Sequence, residues 1–80
     1  MSSRVNLIKE WGRSRNRAEQ IASVLGERIV KGEYEYRTFL PPVAELAKEF
    51  DVHKDTIGNA KRVLGHHHFL KKEDGRWVVA

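Results

Sequence analysis

The 80-residue chain has no cysteine, only two prolines and no long hydrophobic run. Without cysteine it can form no disulfide bridge, no thiolate metal site and no cysteine nucleophile. No apolar stretch approaches the roughly 20 residues that a membrane-spanning helix needs. Near the start, Lys9, Glu10 and Arg13 interrupt any apolar segment that could act as a signal peptide. We therefore expect a single small cytoplasmic domain with no membrane partner.

The chain does have an excess of basic residues at both ends. Its 15 Lys and Arg against 11 Asp and Glu give a net charge of +4. Residues 1–20 have five basic and two acidic side chains (+3), residues 21–50 have four and five (−1), and residues 51–80 have six and four (+2). Basic flanks around a nearly neutral middle are typical of proteins that bind a polyanion, either nucleic acid or an anionic membrane surface.

Apolar residues at helical spacing predict three helices. The first runs from about Arg17 to Lys31. Pro41-Pro42 suits the first turn of a second, short helix over residues 43–50. The third spans about 54–64. Two short helices joined by a tight turn are the outline of a helix-turn-helix.

The chain after the third helix has the signature of a β-hairpin. Residues 69–72 and 76–79 are β-prone, and Asp74-Gly75 between them is typical of a two-residue hairpin turn. Helix, helix-turn-helix and hairpin follow one another in the order of a winged helix. We therefore predict an α+β fold that is mainly α: a winged helix-turn-helix over residues 15–80, with three helices followed by a β-hairpin wing.

The first 14 residues differ in composition from the rest of the chain. Ser, Gly and Arg are scattered over residues 1–14, which predicts a flexible basic N-terminal arm. Val5, Ile8 and Trp11 fall at turn spacing, so a short helix is the alternative there. Basic arms of this kind can add phosphate contacts in DNA-binding proteins.

The predicted elements carry an ordered set of motifs. Residues 29–34 have the pattern I-x-x-G-x-Y, and residues 40–50 are similar to LPSxxxLAxxF. Residues 52–57 stand in the place of VSRxTV, and residues 74–79 match a wing. In this order and at this spacing, over Ile21 through Val79, the set resembles the DNA-binding domain of the GntR family of bacterial transcription regulators.

The resemblance implies sequence-specific binding of double-stranded DNA by a transcriptional regulator, in most cases a repressor, in the cytoplasm and associated with the bacterial nucleoid. Family members add a C-terminal domain that dimerises and binds an effector. The resemblance therefore also implies a homodimer, formed through a domain absent from this chain, on a palindromic operator, without a cofactor. No nucleophile has a catalytic setting, so we expect no enzyme. The alternative is a winged-helix protein–protein interaction module that does not bind DNA.

The chain departs from the family pattern at several positions. Pro42 replaces the serine that caps the second helix, His53-Lys54 replaces a Ser-Arg pair, and Gly58 replaces an arginine. A glycine inside a helix costs about 1 kcal/mol relative to alanine. Close approach of DNA or of the second helix would explain Gly58, as would tolerated drift. His68 stands where the family has a glycine, which makes Gly65 a candidate end of the third helix.

Six candidate DNA-binding residues lie at or within the third helix: His53, Lys54, Asp55, Thr56, Asn59 and Arg62. Lys54 can donate to guanine, and Asn59 can pair with adenine or reach a phosphate. Thr56 can contact a phosphate or a thymine methyl group. Asp55 either complements the helix dipole or accepts from cytosine N4, and His53 either caps the helix or touches DNA. Arg62 can reach a phosphate, with a solvated face as the alternative.

Four more candidate DNA-binding residues lie in the wing: Lys71, Lys72, Gly75 and Arg76. A narrow hairpin tip that carries cations fits against phosphates or into a minor groove, where negative potential is concentrated. Charge that is simply solvated is the alternative.

Two other groups of residues have a structural interpretation. The side chains of His66-His67-His68 diverge, so they cannot close one tetrahedral site, and we expect no metal. Four aromatic residues at apolar positions are interpreted as core rather than as a base-stacking platform: Phe39, Phe50, Phe69 and Trp77. The connector residues Tyr34 and Tyr36 are also expected to fold onto the core.

Overall fold

The computed structural model describes residues 3–80 and has the architecture of a winged helix-turn-helix. Its elements are, in chain order, α1 (Ser3–Gly12), α2 (Arg17–Val30), α3 (Val43–Phe50), α4 (Lys54–His66), β1 (Leu70–Glu73) and β2 (Arg76–Val79). The predicted fold class, α+β and mainly α, is confirmed, with four helices in the described residues where three were predicted. None of the described helices is long and apolar enough to cross a membrane.

The additional helix, α1, occupies the segment that was predicted to be a flexible arm. Ile8 and Trp11 are buried in the domain core. The prediction of an arm over residues 1–14 is therefore wrong for residues 3–12, and its first two residues lie outside the described part of the chain. Ile8 and Trp11 outweigh the Ser, Gly and Arg around them, because their burial in the core stabilises the helical alternative, while Val5 stays 39% exposed.

Polar and aromatic contacts join α1 to the rest of the domain. Ser23 Oγ on α2 donates to the carbonyl of Ile8 at 2.7 Å. Arg4 Nη2 donates to the carbonyl of His68 at 3.0 Å, and its guanidinium carbon lies 4.9 Å from the centre of the Phe69 ring. The centre of the Trp11 ring lies 5.4 Å from the centre of the Phe69 ring. The core of the domain thus includes its first helix.

The middle of the core is formed by α2, which packs against both α1 and α4. Its buried face consists of Ala18, Ile21, Ala22, Leu25, Gly26 and Ile29. Asn16 begins the helix as its N-cap, with Oδ1 accepting from the backbone N–H of Glu19 at 3.2 Å. Each fully buried Leu or Ile contributes about 1.5–3 kcal/mol of transfer free energy. This apolar face therefore positions the helix-turn-helix by packing against α4.

A tight turn joins α3 to α4. Pro42 begins α3 without a side-chain cap, and Asp51 ends it in the left-handed conformation with φ of 54°. The backbone N–H of Val52 donates to the carbonyl of Ala47 at 3.0 Å. At the start of α4, His53 Nδ1 accepts from the backbone N–H of Asp55 at 3.1 Å. The predicted helix-turn-helix is confirmed in these residues.

The end of α4 differs from the prediction. The helix does not stop at Gly65 but continues to His66, and His68 then adopts φ of 66°. A Cβ atom at Gly65 would lie 2.5 Å from Cζ3 of Trp77, so this glycine permits close packing of the wing on α4. His68, although not a glycine, keeps the left-handed conformation that ends the helical segment.

The hairpin forms the predicted wing. β1 and β2 pair antiparallel, with Leu70 opposite Val79 and Glu73 opposite Arg76. Asp74 and Gly75 have φ of 50° and 78°, which are the two positive values of a type I′ turn.

A short bridge also ties the wing to the segment before α3. Phe39 pairs with Val78, and the backbone N–H of Val79 donates to the carbonyl of Thr38 at 2.9 Å. The wing and the start of α3 are therefore held together.

The aromatic residues divide into two groups. Phe69 is fully buried, and Phe50, Trp77 and Tyr34 are partly buried against the core. The prediction that Phe39 and Tyr36 belong to the core is wrong, because they are 52% and 70% exposed. The bridge with Val78 fixes the backbone of Phe39 at the edge of the wing, where the ring lies under the guanidinium of Arg76.

Candidate nucleic-acid interface

Five positions of α4 form an exposed surface that we call the leading face: Lys54, Asp55, Gly58, Asn59 and Arg62. At 3.6 residues per turn these positions span about 140° of the helix circumference. Gly58 is half-exposed and the other four are exposed, while Ile57, Ala60 and Leu64 on the opposite side are buried. The structure therefore brings the predicted contacts of the third helix, including the half-exposed Thr56 beside them, onto one accessible side.

His53 and Asp55 form the N-terminal end of this face. The imidazole Nδ1 of His53 accepts the backbone N–H of Asp55 at 3.1 Å and lies 3.5 Å from its Oδ2. Of the two roles considered for His53, the structure provides the cap. The Asp55 carboxylate lies in the first turn of α4, where it complements the positive end of the helix dipole.

Gly58 has open space where its side chain would be. Apart from its chain neighbours and the adjacent backbone of its own helix, no atom of the described residues lies within 4 Å of the position that a Cβ would occupy. Close approach of α3, one of the explanations considered for this glycine, is therefore wrong. The backbone of the leading face is accessible at this point.

The wing residues Lys71, Lys72, Gly75 and Arg76 are all exposed. Lys71 Nζ lies 3.7 Å from a carboxylate oxygen of Glu73, and Lys72 Nζ lies 5.0 Å from the centre of the Trp77 ring. The guanidinium carbon of Arg76 lies 3.8 Å from the centre of the Phe39 ring. A stacked guanidinium keeps its N–H groups at the edge of its plane, where they can still donate to an oxyanion.

An ion pair between α2 and α3 helps to hold the helix-turn-helix in place. Arg28 forms a two-pronged pair with the Glu49 carboxylate and also donates to the Tyr34 hydroxyl at 2.8 Å. The hydrogen bond with Glu49 raises the pKa of Arg28, and the same bond lowers the pKa of the Glu49 carboxyl group. Arg17 Nη2 donates to the carbonyl of Phe50 at 3.2 Å, which is a second polar link from α2 to the end of α3.

Lys61 has a role that the sequence reasoning missed. Only 5% of this residue is exposed, and its Nζ donates to the carbonyl of Pro41 at 3.1 Å. Burial lowers the pKa of its ammonium group. The sequence does indicate this burial, because Lys61 falls on the i, i+3, i+4, i+7 stripe that begins at Ile57. All four positions of that stripe are buried.

The histidines near the end of α4 take part in aromatic contacts. The centres of the His66 and His67 rings lie 5.1 Å apart, and the centre of the His67 ring lies 5.4 Å from that of the Trp11 ring. Among residues 3–80, no three His, Asp or Glu side chains are arranged to hold one metal ion.

Comparison with known proteins identifies the family of this fold. Residues 17–76 match the family model described as "Bacterial regulatory proteins, gntR family", which is 60 of the 80 residues. The chain belongs to the gntR family. Among curated proteins, none matches the chain significantly.

A solved structure agrees with this assignment. The gntR-family chain is similar to YtrA from Sulfolobus acidocaldarius, a GntR-family transcription factor, with a TM-score of 0.73 and 32% sequence identity. The similarity covers 84% of this chain and 72% of YtrA. The chain is therefore a winged-helix DNA-binding domain of a transcription regulator, and α1 precedes the part that the family model matches. The DNA contacts of individual residues stay predictions.

Proposed function

We propose that this gntR-family domain recognises an operator sequence and represses transcription, with α4 in the major groove. The observation that carries the proposal is the leading face, whose polar side chains are exposed while the opposite side of the helix is buried. An α-helix fits the major groove of B-DNA, where the four base pairs present distinct patterns of donors and acceptors.

Each residue of the leading face has a proposed task. Lys54 donates to guanine O6 or N7, and Asn59 pairs with adenine or reaches a phosphate. Arg62, farther along α4, donates to a backbone phosphate. The open space at Gly58 lets the helix backbone come close to the base edges. Thr56, at the side of this face, contacts a phosphate or a thymine methyl group.

The wing supplies a second, sequence-tolerant contact. Its exposed cations Lys71, Lys72 and Arg76 lie against the phosphate backbone or in a minor groove, and Gly75 at the turn lets the tip approach closely. Phosphate contacts of this kind fix the position of a protein on the duplex, while base contacts distinguish sequences.

We also propose that two copies act together. One domain reads a single half-site, and paired half-sites about one helical turn apart give the affinity that an operator needs. Such pairing favours a palindromic operator and a homodimer held by a C-terminal domain, in the cytoplasm at the nucleoid. The domain acts by binding rather than by catalysis.

The test is an NMR titration of the ¹⁵N-labelled domain with a duplex selected from a random library. We expect the amide signals of residues 53–62 and 71–76 to move together, and those of α1 to stay in place. The alternative, a protein-interaction module, favours apolar or acidic residues at the start of α4, whereas the first residue of this helix is the exposed cation Lys54 and the acidic Asp55 beside it complements the helix dipole. Failure to select any preferred duplex, or shifts confined to other surfaces, would contradict the proposal.

A further inference from the structure

An open cavity lies between the wing and the helix-turn-helix. Its volume is about 260 Å³. The wing contributes Gly75, Arg76 and Trp77, and α4 contributes Lys61. Phe39, Leu40, Pro42 and Val43, from the bridge segment and the start of α3, complete the lining. Three separate parts of the fold therefore enclose the same space.

Lys61 is the buried cation of this cavity, and the part of the chain that the structure describes gives it no countercharge. Only 5% of Lys61 is exposed, and its ammonium group has three N–H donors. Within the described residues its one hydrogen-bond acceptor is the carbonyl of Pro41, and no carboxylate pairs with it. A buried charge is costly unless an opposite charge or further hydrogen bonds compensate it. The lowered pKa of Lys61 reflects this burial.

The other walls combine one more cation with apolar surface. Arg76 stacks on Phe39, which holds its guanidinium at the cavity and leaves its N–H donors at the edge of the plane. None of the described residues that line the cavity is acidic. Leu40, Val43 and the Trp77 ring supply apolar and aromatic contacts. The site thus offers positive charge next to a hydrophobic wall.

We propose that this cavity binds a small organic carboxylate with an apolar, preferably aromatic, body. The carboxylate accepts hydrogen bonds from Lys61 Nζ and Arg76, and the body packs against Trp77 and Leu40. The volume lies below the roughly 300–1,000 Å³ of pockets for drug-sized ligands, which favours a small acid. Because Gly75, Arg76 and Trp77 form part of the lining, an occupant contacts the wing. Its effect on DNA rests on the proposed function, whereas binding of the acid does not.

The experiment uses the free domain, without DNA, and benzoate as the probe. In a ¹⁵N-resolved titration we expect saturable shifts of the Gly75 amide and of the Trp77 indole N–H. Lys61→Met keeps a similar side-chain volume without the charge, and should bind benzoate at least about tenfold more weakly, as expected for a lost charged hydrogen bond. Lys48→Met removes an exposed lysine of α3 that does not line the cavity, and should bind as the wild type does.

Two further ligands test whether binding depends on the charge or on the shape of benzoate, and whether the site prefers a carboxylate or a phosphate. Benzamide has the shape of benzoate without its charge, and we expect it to bind at least about tenfold more weakly. Inorganic phosphate tests whether the site prefers a phosphate of the DNA backbone. If phosphate saturates the site and benzoate does not, the proposed ligand class is wrong. The absence of saturable shifts with benzoate, or equal affinity in a Lys61→Met variant whose spectrum shows that it is folded, would also overturn the proposal.

Discussion

The leading face of α4 and the wing both carry exposed cations, but the protein holds them in different ways. In the wing, Lys71, Lys72 and Arg76 each contact a carboxylate or an aromatic ring of the domain. On the leading face, Lys54 and Arg62 have no hydrogen-bond, ion-pair or aromatic partner within residues 3–80. Immobilising a long side chain on binding costs about 0.5–1.5 kcal/mol. The wing therefore has a preformed arrangement of charge, whereas the leading face can adapt to the bases it meets.

The sharpest test of this difference is Lys54→Ala. We expect it to weaken binding to the selected operator by roughly 1–3 kcal/mol and to change binding to random duplex much less, because a base contact is lost. Competition binding with both duplexes at one salt concentration measures the two effects. Lys48→Ala, which removes an exposed lysine of α3, is the control for net charge. Unchanged discrimination in Lys54→Ala would remove its assigned role.

The two glycines of α4 allow the leading face and the wing to be compared by stability, because Gly58 lies on the leading face and Gly65 lies against Trp77 of the wing. Gly58→Ala should raise the free energy of unfolding by about 1 kcal/mol, since no described residue outside its own stretch of helix lies within 4 Å of its Cβ position and alanine favours the helix. Gly65→Ala should lower it by up to about 2 kcal/mol, because displacing Trp77 costs roughly 1–3 kcal/mol against the same gain in propensity.

Urea unfolding of both glycine variants measures the two changes. Weaker operator binding by the stabilised Gly58→Ala would support close approach of DNA to the leading face. An increase in stability for both variants would contradict the packing of the wing on α4.

A smaller effect is expected in the wing. Arg76→Ala should weaken binding to operator and random duplex alike and reduce the slope of log affinity against log salt by about one unit, as one phosphate contact is lost. Binding measured over a series of salt concentrations gives the slope. Arg76→Lys keeps the charge and should retain the slope, while losing the planar stack on Phe39. An unaltered slope in Arg76→Ala would place the wing tip in solvent.

The smallest effect concerns Lys61 and pH. Its pKa in the folded domain lies below the ordinary value of 10.5. Between these two values the unfolded chain binds a proton that the folded domain does not, so stability rises with pH in that window. The free energy of unfolding of the wild type should therefore rise relative to Lys61→Met as the pH increases from neutral toward 10.5. Urea unfolding at several pH values tests this, and parallel curves for the two proteins would contradict it.

The helix-turn-helix and the wing could be predicted because local physics and packing agree there. The apolar stripe of residues 43–50 and the Asp74-Gly75 turn each specify one conformation in a short window. α1 was harder to predict, since Ile8 and Trp11 stabilise it only when they are buried in the core that the rest of the chain forms. Lys61 was missed because residue type suggested an exposed side chain, although its position on the buried stripe of α4 indicated otherwise.

The partners of the exposed residues could not be derived in the same way. Phe39 depends on a backbone bridge to Val78, and the stacking of Arg76 depends on Phe39, so both follow from pairing across about 40 residues of chain. Sequence spacing carries no information on such long-range pairing until the register of the hairpin is known. The candidate site was therefore predictable as a set of residues, but the way in which the protein holds its charges was not.

The backbone at His68 has a practical consequence for engineering. A left-handed conformation costs a residue with a Cβ about 1–2 kcal/mol, and here a histidine adopts it at φ of 66°. Glycine at this position would relieve that steric strain while leaving the carbonyl that accepts from Arg4 in place. His68 is thus an exposed position at which a single substitution can make the domain more stable.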